Sequence, residues 1–172
     1  MIKLLLGLHL PPKDTIYIDG ADFSELTLAR VRSCIGYVPQ DSLFFNESII
    51  DNLFCADIDF EKIDKLCKVL DIDNEIQNME NGFDTLVGVD GNMLSGGQRK
   101  RLDFLRVFYM DKPVLIFDEP TAMLDETRRF LFYKYLIEIK SDKIIIVISH
   151  NISEVQYFDC VYEINKGVSK LC

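Results

Sequence analysis

The sequence lacks several features that would each point to a different class of protein. Its 172 residues contain no tryptophan and five cysteines, and no two of those cysteines form a C-x-x-C pair. This argues against a disulfide framework or a zinc knuckle, and it favours reduced thiols in the cytosol. The longest aliphatic run, residues 144–148, is far shorter than the roughly 18 apolar residues of a membrane-spanning helix. We therefore expect any role at a membrane to depend on a partner.

Basic residues are also in short supply. The chain has 19 Lys and Arg residues against 28 Asp and Glu residues, which gives a formal net charge of −9 at pH 7. Proteins that bind nucleic acid need clustered Lys and Arg to contact phosphates, so we predict no nucleic-acid partner. The densest basic cluster is residues 99–101 (R-K-R). We predict that it forms a solvated helix face at least as readily as a contact with an anion.

What remains is an ordinary globular composition with a clear pattern of apolar runs. Hydrophobic residues make up 48% and charged residues 27% of the chain, which is long enough for one domain with a sizeable core. Three short apolar runs each stop just before polar residues: 35–38 before Gln40, 114–117 before Asp118 and Glu119, and 144–148 before His150. Such runs are typical of buried parallel strands, and α/β sheets bind ligands at the carboxyl ends of those strands.

A glycine-rich turn opens the basic helix. Residues 94–98 read L-S-G-G-Q, and Ser95 is a favourable N-cap residue. Gly96 and Gly97 allow a ligand to approach the backbone, while the free N–H groups and the helix dipole favour an anion such as phosphate. Together with the acids that follow residues 114–117, this turn indicates chemistry on a nucleotide.

Other segments have simpler patterns. Residues 15–20 alternate apolar and polar side chains and end in an Asp-Gly turn, as an edge strand does. Helices are predicted around 26–31, at 49–53 after the cap residue Ser48, and at 126–139. A further helix is predicted from the helical spacing of Ile63, Leu66, Cys67 and Leu70. The helix at 126–139 is rich in Phe and Tyr, which we expect to pack in a core or an interface. The tail, residues 160–167, is predicted to form a hairpin.

The order and spacing of these motifs resemble the ATPase domain of ABC transporters. L-S-G-G-Q at 94–98 precedes D-E-P-T-A-M-L-D at 118–125 and a strand ending in His150, and Gln40 lies upstream. The resemblance covers nearly the whole chain, 1–172. It implies an α/β P-loop NTPase core with a mostly parallel sheet and a helical subdomain inserted at about 41–104. Residues 44–49 and 87–91 are similar to the exporter branch, although Val89 stands where that branch carries Glu.

The resemblance also implies a role for each site residue, with ATP and Mg²⁺ as cofactors. The expected metal-binding residues are Asp118 and Gln40, and the expected catalytic residues are Glu119 as general base, His150 and Gln40. The residues expected to contact the ATP of a second ATPase domain are Ser95, Gly96, Gly97 and Gln98, and Asp125 is expected at the dimer interface. The implied function is ATP hydrolysis that powers export, on the cytoplasmic side of a membrane and beside a transmembrane partner.

The phosphate-binding loop G-x-x-x-x-G-K-[ST] of this family does not occur in the 172 residues. By resemblance it would end where Met1 stands, so we expect an N-terminally truncated domain that is inactive alone. One alternative is a non-catalytic partner, or a gene fragment, that contributes only the L-S-G-G-Q half of a composite ATP site. Another is a soluble ABC ATPase that takes no part in transport.

Overall fold

Helices and strands alternate along the chain. The structure is a computed structural model that describes residues 2–55, 57–165 and 168–171. Its strands are β1 (Tyr17–Ile18), β2 (Ala21–Asp22), β3 (Ile35–Val38), β4 (Val114–Asp118), β5 (Ile144–Ile148), β6 (Tyr162–Asn165) and β7 (Val168–Leu171). Its α-helices are α1 (Ile2–Leu5), α2 (Leu28–Ser33), α3 (Phe60–Val69), α4 (Asp73–Gln77), α5 (Gly96–Met110) and α6 (Glu126–Ile139).

The central sheet consists of β3, β4 and β5, side by side in that order and all parallel. Tyr37 pairs with Ile116, which in turn pairs with Ile146. Parallel neighbours need long connections, and here α3, α4 and α5 lie between β3 and β4 in sequence, while α6 connects β4 to β5. The three strands lie where the apolar runs predicted them, and the α/β fold is confirmed.

Aromatic side chains fill the space between the sheet and helices α5 and α6. Phe104 of α5 stacks on Phe132 of α6 with ring centroids 4.3 Å apart, and Phe117 of β4 meets Phe132 edge-on at 5.2 Å. Both geometries are favoured for aromatic pairs. All three side chains are buried, as is Tyr133, whereas Phe130 on the same helix α6 is exposed. The aromatic pattern of α6 therefore contributes mainly to the core.

A glycine lets β3 lie directly against α5. A Cβ atom at Gly36 would come within 2.8 Å of Cγ1 of Val107. Any larger residue at this position would push the sheet away from the helix that begins at the glycine-rich turn.

Helix α3 shows the amphipathic packing that its sequence predicts. Ile63, Leu66 and Cys67 are buried on one face, and Leu70, the C-cap residue, is buried beside them. Burial raises the pKa of the Cys67 thiol to about 12. The thiol therefore stays protonated, as expected for a structural cysteine.

The helix predicted after Ser48 is shorter than expected. Instead of a helix over 49–53, the structure has a single 3₁₀ turn, Asp51–Leu53. The Ser48 hydroxyl still accepts a hydrogen bond from the Asp51 N–H at 3.2 Å. The turn ends because Phe54 adopts left-handed backbone angles, φ 56° and ψ 38°, which stop a helix.

Two small hairpins complete the described chain. Strands β1 and β2 are joined by Asp19 and Gly20, both with positive φ, as the Asp-Gly pair predicted. The predicted tail hairpin is the antiparallel pair β6 and β7, and Lys166 and Gly167 at its turn lie outside the described residues. Within the described ranges, no helix is both long enough and apolar enough to cross a membrane.

Candidate functional site

The carboxyl edge of the sheet brings together the polar residues that follow the three parallel strands. Gln40 follows β3, and His150 follows β5. Asp118 is the last residue of β4, and Glu119 comes directly after it. We call these four residues the strand-end site. Glu119 and His150 are in contact, with their Oε1 and Nε2 atoms 3.5 Å apart. The parallel strands place the four residues at the same edge of the sheet, and their roles stay a prediction.

Glu119 is held in an unusual backbone conformation. Its φ is 46°, in the left-handed region that few residues other than glycine adopt. Its N–H group donates to the carbonyl oxygen of Ile148 at 2.9 Å, which fastens the end of β4 to the end of β5. The buried Oε1 atom accepts no hydrogen bond within the described residues. The His150 side chain is 96% exposed against 18% for Glu119, so the histidine faces outward from a half-buried carboxylate.

Asp118 is the last residue of β4, next to Glu119 in sequence, and is partly exposed. Burial raises the pKa of Tyr37, and the Asp118 carboxylate raises it further. The described residues contain no group of three or more His, Cys, Asp and Glu side chains that could hold a metal by themselves. Mg²⁺ in nucleotide sites is commonly bound through one or two protein groups plus phosphate oxygens and water. The Asp118 carboxylate and the exposed Gln40 amide, at the same edge of the sheet, fit that mode.

The L-S-G-G-Q turn, residues 94–98, is termed the signature turn below. Ser95 is the N-cap of α5, and its hydroxyl accepts the Gln98 N–H at 3.2 Å. In return, Oε1 of Gln98 accepts the Ser95 N–H at 2.8 Å, which completes a capping box. The Gln98 amide also donates to Glu75 at 2.9 Å. The Gln98 side chain is thus bonded at both ends to the protein, whereas Ser95 is exposed.

The basic cluster 99–101 is not the solvated face that the sequence predicted. Lys100 is 2% and Arg101 4% exposed. Nζ of Lys100 donates to the carbonyl oxygens of Pro39 and Gln40 at 2.8 and 2.9 Å, so α5 holds the backbone beside the strand-end site. Burial lowers the pKa of Lys100. The prediction was wrong because it could not include the carbonyl groups that solvate this ammonium in place of water.

Arg101 is bonded to helix α4 through Glu75. Its NH2 group reaches both carboxylate oxygens of Glu75, at 2.7 and 2.9 Å. Arg128 of α6 contacts the same carboxylate at 3.2 Å, and it also pairs with Asp71 at 3.2 Å. Burial opposes the charge on Glu75, but hydrogen bonds from Arg101 and Gln98 outweigh it and lower its pKa. This Glu75 network ties the signature turn to α4 and α6.

Asp125 begins helix α6. Its carboxylate accepts the Arg128 N–H at 2.9 Å and pairs with the Arg128 side chain, which lowers the pKa of Asp125. The segment just before it reaches the signature turn of the same chain. A Cβ atom at Gly97 would lie 3.3 Å from the carbonyl oxygen of Met123. Glycine at this position therefore leaves the turn close to the segment 120–125.

Sequence analysis missed a buried acid near the strand-end site. Glu154 is 2% exposed and accepts a hydrogen bond from the Thr121 hydroxyl at 2.5 Å. Its neighbours in sequence give no periodic apolar pattern that would predict burial. Thr121 is buried as well, and no local sequence signal marks the two residues as partners.

A parallel sheet with polar residues at its strand ends, in a chain that also has a glycine-rich helix start, is typical of nucleotide-binding α/β domains. A family model described as "ABC transporter" matches residues 1–122. The chain belongs to the ABC transporter family. It corresponds to the ATP-binding part of that family, with an ABC ATPase fold.

Individual relatives agree. ABC transporter B family member 29, chloroplastic, of Arabidopsis thaliana is 34% identical over 99% of this chain and 27% of its own length. The ATP-dependent lipid A-core flippase of Blochmanniella pennsylvanica is 32% identical over 97% of this chain and 29% of its own length. A solved bacterial Atm1-family ABC exporter with ATP bound superimposes with a TM-score of 0.90 at 30% identity, over 96% of this chain and 30% of its own. The chain thus spans less than a third of each.

Proposed function

We propose that this chain works as the ATPase domain of an ABC exporter, in which ATP hydrolysis drives movement of a substrate across a membrane. The observation that carries this proposal is the convergence of Gln40, Asp118, Glu119 and His150 at one edge of the sheet. The family match and the exporters among the relatives support it. Segment 41–104 would form the helical subdomain, and a transmembrane partner would place the domain on the cytoplasmic side.

Each group at the strand-end site then has a chemical task. Asp118 and Gln40 would hold Mg²⁺, which neutralises phosphate charge when ATP is bound. Glu119 would orient the attacking water and accept its proton, because its buried Oε1 has no competing partner among the described residues. His150 lies 3.5 Å from that oxygen and is exposed, so it can face the terminal phosphate.

The signature turn would serve a second ATPase domain. Ser95 and the N–H groups of Gly96 and Gly97 lie at a helix start, which favours anions, and the Gln98 N–H holds the Ser95 hydroxyl in place. In a head-to-tail dimer these donors would contact the terminal phosphate of ATP held by the other domain, with Asp125 at the interface. Gln98 would contribute by holding the turn in shape, since its N–H is bonded to the Ser95 hydroxyl and its side chain to Ser95 and Glu75.

A chimaera tests the catalytic assignments. The phosphate-binding segment of the lipid A-core flippase is joined ahead of residue 1, and phosphate release is measured with Mg²⁺-ATP. We expect turnover in the chimaera and none in the 172-residue chain, which has no G-x-x-x-x-G-K-[ST] motif. Glu119→Gln should lower kcat by about 10² to 10⁴-fold and leave the Kd for ATP unchanged, because a general base acts on the chemical step. Chelation of Mg²⁺ should abolish turnover.

The matched control is Glu163→Gln, which makes the same charge change at an exposed position of β6. It should hydrolyse ATP at the original rate. Turnover by Glu119→Gln equal to that of this control would remove Glu119 from the role of base.

Mixing two inactive variants tests the assignment in trans. In the chimaera, Ser95→Arg blocks the signature turn but keeps Glu119, and Glu119→Gln keeps the turn. A mixture should regain activity, because one site of each mixed dimer then has both intact parts. No gain over the separate variants would show that the two regions do not act on each other's nucleotide.

A second candidate is a non-catalytic partner that lends only its signature turn to a subunit carrying a phosphate-binding loop. It is favoured by the signature turn, whose capping box is complete without a nucleotide. Adding the unaltered chain to an ABC ATPase domain whose own signature serine is replaced by arginine would test this. ATP hydrolysis that appears on mixing and disappears with Ser95→Arg supports it.

A further inference from the structure

Glu154 is a buried carboxylate for which the proposed chemistry has no use. It lies in the 3₁₀ helix Ile152–Tyr157, four residues after His150. Its Oε1 atom accepts hydrogen bonds from the Thr121 hydroxyl at 2.5 Å and from the Asn151 amide at 3.3 Å. A buried carboxylate is costly unless such partners compensate it. Several polar groups therefore stabilise this buried acid.

The partners of Glu154 come from two different loops. Thr121 is two residues after Glu119, in the loop that follows β4, and Asn151 is the residue after His150, in the loop that follows β5. Nε of Arg129 on α6 is 4.0 Å from the same oxygen and balances its charge. Burial opposes ionisation, but hydrogen bonds that include those from Ser149 and Thr121 keep the pKa of Glu154 below its usual value.

We propose that Glu154 is a positioning residue whose carboxylate joins the loop carrying Glu119 to the loop carrying His150 and so sets their 3.5 Å separation. The hydrogen bond from the Glu119 N–H to the Ile148 carbonyl oxygen holds the two loops together where they leave β4 and β5. The hydrogen bond from the Thr121 hydroxyl to Glu154 holds the same two loops together farther along the chain. The catalytic meaning of that separation rests on the proposed function, whereas the mechanical link does not.

Residue-resolved amide hydrogen exchange by NMR tests the link in the 172-residue chain without nucleotide. The reporter is the Glu119 amide, and the variants are Thr121→Val, Thr121→Ser and Glu154→Gln. Thr121→Val removes the hydroxyl and keeps the shape of the side chain nearly constant. Loss of a hydrogen bond to a charged group corresponds to a change of tenfold or more in the local opening equilibrium, at about 1.4 kcal/mol per tenfold. We expect the Glu119 amide to exchange at least about tenfold faster, with amides inside β4 unchanged. Thr121→Ser should keep the original rate, and Glu154→Gln should resemble Thr121→Val.

Glu138→Gln is the control, because it makes the same charge change at an exposed position of α6. Unchanged exchange at Glu119 in Thr121→Val would overturn the proposal. Equal acceleration throughout β4 would also overturn it, since it would show only a general loss of stability. If Glu154→Gln does not fold, the Thr121 pair decides alone. Because no ATP is present, failure here is distinct from failure of the ATPase proposal.

Discussion

The signature turn and the strand-end site differ in how far their polar groups are already bonded. In the signature turn, Gln98 is bonded at both ends and the capping box with Ser95 is complete. At the strand-end site, Oε1 of Glu119 accepts no hydrogen bond within the described residues, and His150 is almost fully exposed. A buried polar atom without a partner is rare in a native protein and needs an explanation. In the proposed function, this atom is where the attacking water would be held.

In the proposed composite ATP site, the two regions would be prepared for the nucleotide in different ways. The capping box holds the shape of the signature turn before any nucleotide arrives, so the turn itself would need little reorganisation. The strand-end site would keep its hydrogen-bonding capacity for the phosphate, metal and water of the proposed reaction. We therefore expect substitutions around the turn to affect stability, and substitutions at the strand ends to affect activity with little effect on stability.

The largest stability effect is expected from Glu75→Ala. This substitution leaves Arg101 buried without its carboxylate partner and also removes a contact of Arg128. Breaking a buried ion pair on one side typically costs 3–5 kcal/mol, and the partial exposure of Glu75 places the expected loss at about 3 kcal/mol. Urea unfolding measures it. Glu80→Ala, an exposed acid in the same region, should change the free energy of unfolding by less than about 0.5 kcal/mol.

Acid should weaken the same network. The pKa of Glu75 is lowered in the folded state, so its contribution is complete above the unfolded value of about 4.3 and is lost as the pH falls through the lower folded value. The free energy of unfolding should therefore drop between about pH 5 and about pH 3 by more in the wild type than in Glu75→Gln. Parallel pH profiles of the two proteins would contradict the assignment.

Ser95→Ala should have a smaller effect. It removes the hydroxyl that accepts the Gln98 N–H and so breaks one half of the capping box. Loss of an N-cap residue of this type costs about 1 kcal/mol. Thermal or urea unfolding would show it, and Ser141→Ala, at an exposed position, is the matched control. Equal stability of the two variants would mean that the cap has no energetic role.

The smallest effect on stability is expected from Glu119→Gln and His150→Ala. Neither removes a hydrogen bond that the described structure shows for these side chains, so the free energy of unfolding should stay within about 0.5 kcal/mol of the wild type. In the chimaera, Glu119→Gln should still lose nearly all turnover. A loss of more than about 1 kcal/mol in either variant would show that the strand-end site is already part of the packed fold.

The sequence predicted the parts of this arrangement that depend on near neighbours. Ser95 and Gln98 are three residues apart, so a capping box could be anticipated from local sequence alone. The strand-end residues could be grouped because parallel strands end at one edge. The family and fold followed from the same motifs and are confirmed by the comparisons. The roles of the individual residues, and Mg²⁺, remain predictions.

The sequence did not predict contacts between distant segments. Lys100 is buried because it bonds to the Pro39 carbonyl, 61 positions away, and Arg101 because it bonds to Glu75, 26 positions away. Glu154 meets Thr121 across 33 positions. A charged residue is normally exposed, and no local pattern reveals that such a partner exists. Only the folded chain supplies it.

The left-handed backbone of Glu119 has a consequence for how this protein can change over generations. A φ of 46° is more favourable for glycine or asparagine than for glutamate, and glycine would relieve about 1 kcal/mol of backbone strain. Under the proposed function, selection for hydrolysis would keep the strained residue, whereas selection for a stable fold would favour its replacement. A lineage that ceased to hydrolyse ATP would therefore drift towards glycine or asparagine at position 119 while the signature turn stayed intact.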